Sequence, residues 1–156
     1  MKTICKILYY ISFKKICLGH CKKKIMEYFK IEEFDSPDVK GSGKNMDDQF
    51  LRFINELRKR CKFPFVVTSG YRTPEYHKSL TDRGYHTSPT SAHLKGLACD
   101  IVMTDSKKRA RFVYEAMNLC SELSLPFRVG LAGKSKGNFA HIDIDETKKS
   151  PKIWIY

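Results

Sequence analysis

The sequence predicts an α+β domain in which helices pack against one face of a mainly antiparallel sheet. Three observations carry that expectation. Residues 46–61 and 106–123 repeat apolar side chains at helical spacing. Short runs rich in β-branched and aromatic residues at 63–68, 97–103, 127–131, 139–145 and 153–156 have the length of strands. The late strands follow one another like hairpins, which favours an antiparallel arrangement over repeated βαβ units.

The elements follow in order. With 156 residues the chain is long enough for one domain with a sizeable core. Residues 1–25 form a basic leader that differs from the rest. It opens with a lysine and an apolar run, but Lys14 and Lys15 cut that run short and no small-x-small cleavage site follows. It makes a poor signal peptide and is too short to span a bilayer. Met26 is expected to be the natural start, with the leader an upstream extension and residues 26–156 a single domain. A breaker-rich loop at 34–44 precedes a helix over 46–61, with Asn45 as its cap and Phe50, Ile54, Leu57 and Cys61 on its apolar face. The strand at 63–68 delivers Ser69-Gly70-Tyr71-Arg72, and a short helix begins near Pro74, where proline is tolerated. Residues 81–90 are polar and read as a loop near a cleft. Ser106 is placed to cap the second long helix, with Ala110, Val113, Met117 and Cys120 expected on its inner face. Its run Lys107-Lys108-Arg109-Ala110-Arg111 reads as a solvated face. The Gly/Lys/Ser-rich connection at 133–138 suggests a rim ahead of the strand at 139–145.

Charge and cysteine usage narrow the function classes. The formal net charge of +12 is misleading, because seven of the 29 basic residues and none of the 17 acidic ones fall in 1–25. The remainder, with 22 basic against 17 acidic residues, gives little support to nucleic-acid binding. Cys61, Cys99 and Cys120 lie in apolar or helical settings and read as reduced, buried thiols rather than a disulfide framework. Cys17 and Cys21 flank His20 without a second pair to complete a zinc site.

The informative residues are His93, Asp100 and His141. Asp100 sits inside the apolar run Leu97-Ala98-Cys99-Asp100-Ile101-Val102-Met103, where an unpaired carboxylate costs several kcal/mol and calls for a cation. His141 and Asp143 repeat the pattern in Phe139-Ala140-His141-Ile142-Asp143. Two histidines and a carboxylate form the three-ligand set of a catalytic zinc (Zn2+), which keeps one position for water. Period-two alternation puts Asp143 on the same side of its strand as His141, a candidate general base with orientation of a zinc histidine as the competing role. His86 is a weaker outside candidate.

In order along the chain, Ser69-Gly70-Tyr71-Arg72-Thr73-Pro74-Glu75-Tyr76, Ser91-Ala92-His93-Leu94-Lys95-Gly96-Leu97-Ala98-Cys99-Asp100-Ile101 and Phe139-Ala140-His141-Ile142-Asp143 resemble the signatures of the zinc D-Ala-D-Ala carboxypeptidase family. That family includes phage L-alanyl-D-glutamate endolysins and shares its fold with the hedgehog signalling domain. The resemblance begins near Tyr28 and is strongest to the small phage-associated branch. It implies His93, Asp100 and His141 as zinc ligands, Arg72 as a contact to the substrate and its polarised carbonyl, and Ser91 as a contact to the peptide. One departure concerns mechanism: several family members carry an acidic residue three positions before the last zinc histidine, where this chain has Asn138, which cannot take a proton from water. Asp143 then becomes the nearest carboxylate for that work. Arg72 has a structural alternative, pairing with Glu75 or Asp82.

The resemblance implies a zinc metallopeptidase acting on peptidoglycan stem peptides, as carboxypeptidase or endopeptidase, expected to be monomeric, made in the cytoplasm and active on the bacterial cell wall. The alternative is a domain of the same fold that retains the metal and only binds.

Overall fold

A five-stranded sheet organises the computed structural model, which describes residues 26–156 apart from His86. The expectations for the leader, for the Cys17–Cys21 pair and for His86 lie outside the described residues. The strands are β1 (Val67–Ser69), β2 (Ala98–Val102), β3 (Arg128–Leu131), β4 (Phe139–Asp143) and β5 (Lys152–Ile155), in the spatial order β1-β2-β4-β3-β5. Every neighbouring pair is antiparallel except β3 with β5, which run parallel. The expected α+β architecture with a mainly antiparallel sheet is the one observed.

Alternation along the strands divides the sheet into two faces. Cys99, Ile101, Val129, Ala140 and Ile142 are wholly buried on one of them. Helices α1 (Asp48–Cys61) and α3 (Ser106–Leu123) complete that core, bringing Phe50, Phe53, Ile54, Leu57, Phe112, Ala116 and Leu119. Phe65 and Phe112 meet edge-on at 5.7 Å, tying the approach to β1 onto α3. The shorter α2 (Pro74–Asp82) begins as expected at a proline, capped by Thr73, whose hydroxyl accepts from the Tyr76 amide at 3.0 Å.

Three details depart from the sequence expectation. The cap of α1 is Asp47, whose Oδ1 accepts from the Phe50 amide at 2.9 Å, while Asn45 belongs to a preceding 3-10 turn, Ser42–Asn45. The cap of α3 is Asp105, bonded to the Lys108 amide at 2.8 Å, and Ser106 is already helical. In both cases the aspartate stands three residues before the amide it satisfies and places a negative charge at the positive end of the helix. The inner face of α3 consists of Phe112, Ala116, Leu119, Cys120 and Leu123, whereas Ala110 and Met117 face out. Choosing Phe112 rather than Val113 as the anchor rotates the stripe, and the larger ring decides which face is buried.

The opposite sheet face carries polar groups. The register aligns Ser69 with Asp100, Asp100 with His141, His141 with Gly130, and Gly130 with Trp154. One transverse row across all five strands therefore contains two of the three expected metal ligands. An irregularity between Val67 and Ser69 shifts β1 and sets Ser69 opposite Asp100.

Replacing Asp47 by alanine is expected to destabilise the protein by about 1 kcal/mol in denaturant unfolding, the cost of an N-cap. Asn45→Ala, at an exposed position outside the helix, should stay within about 0.5 kcal/mol of wild type. Equal losses for both variants would contradict the cap assignment.

Candidate metal centre

Three segments bring the polar face together. The chain leaving β1 turns through Gly70, which lies so close to Phe34 that a Cβ would stand 2.5 Å from the Phe34 Cα. The Tyr71 amide bonds the Phe34 carbonyl at 2.9 Å and the Arg72 amide bonds the His93 carbonyl at 3.2 Å, so the loop is fixed on both sides. His93 sits in a 3-10 turn, Ala92–Lys95, that ends at Gly96 with φ 69°. Only glycine fits there, because a Cβ would approach the Asn45 carbonyl oxygen to 2.4 Å. β2 and β4 then supply Asp100 and His141 from adjacent positions.

His93, Asp100 and His141 are all buried, and one ligand atom from each lies within 4.8 Å of the others. Asp100 Oδ1 is 2.8 Å from His141 Nδ1 and 3.4 Å from His93 Nε2, and the two ring nitrogens are 3.3 Å apart. The outer ring atoms settle what these inner atoms are. His93 Nδ1 is 2.7 Å from the Gly70 carbonyl, which can only accept, so Nδ1 carries the proton. His141 Nε2 is 3.0 Å from Asp143 Oδ2 and donates to that carboxylate. In the neutral imidazoles the inner nitrogens are then bare lone pairs facing a carboxylate oxygen. Three electron-pair donors then converge, an arrangement that a bound cation satisfies and that a proton on His141 Nδ1 satisfies without one. Two imidazoles and a carboxylate, each oriented from behind, fit a zinc ion in type and number.

Without a cation in the cluster the two rings differ in their protonation preferences. Burial pushes His93 down and keeps it neutral despite the pull of Asp100. Burial also opposes charge on His141, but the hydrogen bonds that its ring donates to the Asp100 and Asp143 carboxylates outweigh it and raise its value, which favours a second proton on Nδ1 where a cation would otherwise sit. For Asp100, burial is overcome by the two histidines, which hold its carboxyl well below the usual range.

Arg72 reaches the same carboxylate. Its Nη2 donates to Asp100 Oδ2 at 2.7 Å and its Nε to the Ser69 hydroxyl at 2.8 Å, so the pairing with Glu75 or Asp82 is not the one formed. Its Nη1 carries no hydrogen bond among the described residues. Ser91 stands at the entrance to the His93 turn without capping it, and its hydroxyl makes no bond to the cluster among the described residues.

Asp143 is enclosed behind His141. Its side chain is 1% exposed, and its oxygens are engaged by His141 Nε2, by Arg128 Nε at 2.9 Å and by the Asp145 amide at 3.1 Å. It meets His141 at the ring nitrogen opposite the one that faces Asp100. Asp145 in turn bonds Lys95 Nζ at 3.0 Å, fastening the end of β4 to the turn that bears His93. Asn138, in the connection before β4, is turned to backbone work: φ is 51°, its carbonyl accepts from the Met103 amide and its Oδ1 from Arg109.

Sequence reasoning passed over Arg128, Gly70 and Trp154. Arg128 was legible in principle, since an arginine in an apolar strand requires a buried anion and alternation offers few candidates. The Gly70 carbonyl carries no side-chain signal. Trp154 lies over Gly130, where a Cβ would meet its ring at 2.5 Å, and its ring centroid is 5.4 Å from that of His141.

Asp143 and Asp145 are both held below the ordinary carboxylate value. Burial opposes this, but His141 and Arg128 outweigh it for Asp143, as do Thr147 and Lys95 for Asp145. The unfolded chain, with aspartates near 3.9, thus binds more protons in acid than the folded one. Stability from these groups is complete above about pH 4 and is lost as pH falls through their lowered folded values. His141, whose value is raised, contributes fully below about 6.5 and stays constant across that window. His93, whose value burial lowers, stays neutral while the unfolded imidazole takes a proton, so it costs stability as pH falls below about 6.5. Metal-free protein should therefore show a denaturant midpoint that already falls from pH 6 to 5 and falls further below 4, with Asp145→Asn flattening the lower part.

The sequence model of the family described as Peptidase M15 matches residues 27–143. That span holds Arg72, Ser91, His93, Asp100, His141 and Asp143, and it ends before β5. Among solved structures, the crystal structure of the Serratia marcescens L-Ala D-Glu endopeptidase ChiX is similar, with a TM-score of 0.51 at 18% identity over 65% of this chain and 81% of that one. At such identity the likeness is one of fold. No curated protein matches the chain. The family match covers three quarters of the sequence and includes every residue of the convergent cluster, and the chain belongs to the peptidase M15 family.

Proposed function

We propose that the chain is a zinc-dependent peptidase that hydrolyses peptidoglycan stem peptides. The observation that carries this reading is the convergence of His93 Nε2, His141 Nδ1 and Asp100 Oδ1, three donors whose outer partners leave them as lone pairs. Membership of a peptidase family gives the reaction class. The L-Ala D-Glu endopeptidase activity of the ChiX neighbour makes the L-Ala–D-Glu bond the first to test, ahead of D-Ala–D-Ala termini.

His93, Asp100 and His141 would hold the metal, which when bound supplies Lewis acidity and lowers the pKa of water from about 15.7 toward 7. The chain's own residues do the rest. The Gly70 carbonyl and the Asp143 carboxylate fix the tautomers of the two histidines, keeping the inner nitrogens free to bind. Arg72, anchored through Nε and Nη2, offers its remaining Nη1 to a substrate carbonyl or carboxylate. Asp143 acts through His141 as a positioning residue and not as the proton acceptor, because its lone pairs are committed to His141, Arg128 and the Asp145 amide.

The same commitment favours a second reading, a domain that retains metal and binds without cutting. Asp100 and Asp143 are the carboxylates bonded to the cluster among the described residues, and neither is spare.

Metal analysis together with mass spectrometry of purified peptidoglycan digests separates the readings. Wild-type protein should carry one zinc and release new amino termini, and His93→Ala should lose both. One bound zinc with no new termini would falsify the peptidase reading and leave the binding domain. Asp143→Asn should lower metal affinity or activity by roughly 10- to 100-fold, the usual effect of removing a histidine's outer partner. A total loss of turnover with full zinc content would restore Asp143 as the proton acceptor.

A further inference from the structure

The family match ends at Asp143, yet one wall of the cluster is built from residues after it. β5 is two strands away from β4, and β3 lies between them. On the polar face β3 presents Arg128, paired with Asp143, and beyond it small residues. Gly130 is opposite both His141 and Trp154 in the register. Ala132 follows two residues later: its amide bonds the Phe139 carbonyl at 2.8 Å, and the Tyr156 amide bonds the adjacent Leu131 carbonyl at 3.1 Å. The aromatic side chains of the last strand therefore cross over β3. Trp154 reaches His141 at 5.4 Å between ring centroids, and Tyr156 reaches Phe139 at 5.0 Å.

Two different anchors hold this wall. Arg128 and Lys152 both stand over the Trp154 ring, at 5.5 and 5.7 Å, and Arg128 is itself bonded to Asp143. Trp154 and Tyr156 also meet edge to face at 6.0 Å. Trp154 is thus held on a ligand histidine by cations and by the absence of a side chain beneath it. Tyr156 remains 46% exposed on the same face. Arg72 approaches Asp100 from the β1 side of the row, and Tyr156 stands at the β5 side.

We infer that Tyr156 is a substrate-contacting residue of this site, its hydroxyl donating a hydrogen bond to the carbonyl oxygen of the peptide being cut, across the cluster from Arg72. The inference rests on the zinc-peptidase reading and adds a residue that the family match does not reach. A donor for that role must keep its proton at neutral pH. Burial pushes the Tyr156 phenol up to about 12, and the negative Asp100 pushes it the same way, so it stays protonated. Trp154 is the positioning residue that keeps the tyrosine against the cluster.

Tyr156→Phe removes the hydroxyl and leaves the ring packing on Phe139 and Trp154. Steady-state kinetics on a stem peptide, with zinc content and thermal midpoint measured on the same samples, should show kcat reduced on the order of 100-fold, the effect of losing one such donor. KM, zinc content and midpoint should stay at wild-type values. Tyr114→Phe, on the exposed face of α3, serves as the control and should be unchanged. A Tyr156→Phe variant with kcat/KM within twofold of wild type, or one whose loss of activity follows a loss of zinc, overturns the assignment. Wild-type protein that cuts no stem peptide sinks the peptidase reading and this inference with it, an outcome distinct from an active wild type with an equally active variant.

Discussion

The burial of Asp100 is the constraint around which the site is arranged. A carboxylate in the middle of a sheet is tolerable only if every lone pair finds a positive partner. Arg72 takes one oxygen at 2.7 Å, and the other faces the inner nitrogens of His141 and His93. Each of those partners arrives on a different segment, so satisfying one charge fixes the loop after β1, the turn before β2 and the strand β4 relative to one another. The row Ser69–Asp100–His141–Gly130–Trp154 is the sheet register through which this is achieved. A one-residue slip of β4 would send His141 to the core face and Ile142 to the polar one.

A second buried ion pair supports the first. Arg128 and Asp143 are paired on neighbouring strands and almost fully enclosed. Such a pair adds little net stability, but removing one partner strands the other charge at a cost of about 3–5 kcal/mol. Its value lies in geometry. Arg128 holds the Asp143 carboxylate ionised, the carboxylate holds a proton of His141 on Nε2, and Nδ1 is turned toward Asp100. The Gly70 carbonyl does the same for His93 with no charge at all. The two imidazole rings are thus oriented from opposite chemical sources, one an ion pair and one a backbone group pinned against Phe34.

Much of this was legible in the sequence, and the parts that were not have physical reasons. The periodicities placed both long helices and every strand to within a few residues, because apolar spacing reports the buried face directly. The expected strand at 63–68 is observed as Val67–Ser69, and Phe65 ahead of it packs onto α3 and Phe29. His93, Asp100 and His141 could be singled out because a polar residue inside an apolar run is anomalous under burial. The role of Asp143 could not be read in the same way. Alternation gave its face correctly, but whether a carboxylate on that face serves solvent or a neighbouring ring depended on Arg128, fifteen residues earlier and opposite it only once β3 and β4 pair. The caps show the same limit on a smaller scale: Asn45 and Asp47 are both good capping residues, and the fold decides between them.

The contribution of β5 follows from an absence that sequence patterns register poorly. A glycine in a strand ordinarily weakens it, through backbone entropy and the loss of a packing side chain. Gly130 is tolerated because the Trp154 ring fills the place its side chain would occupy. The parallel pairing of β5 with β3 is what aligns these partners, since it sets Trp154 beside Gly130. An indole lying on His141 covers one side of the cluster and lowers the local dielectric, which strengthens every charge interaction around Asp100. The final strand, although it contributes none of the three converging donors, therefore sets the environment in which they operate.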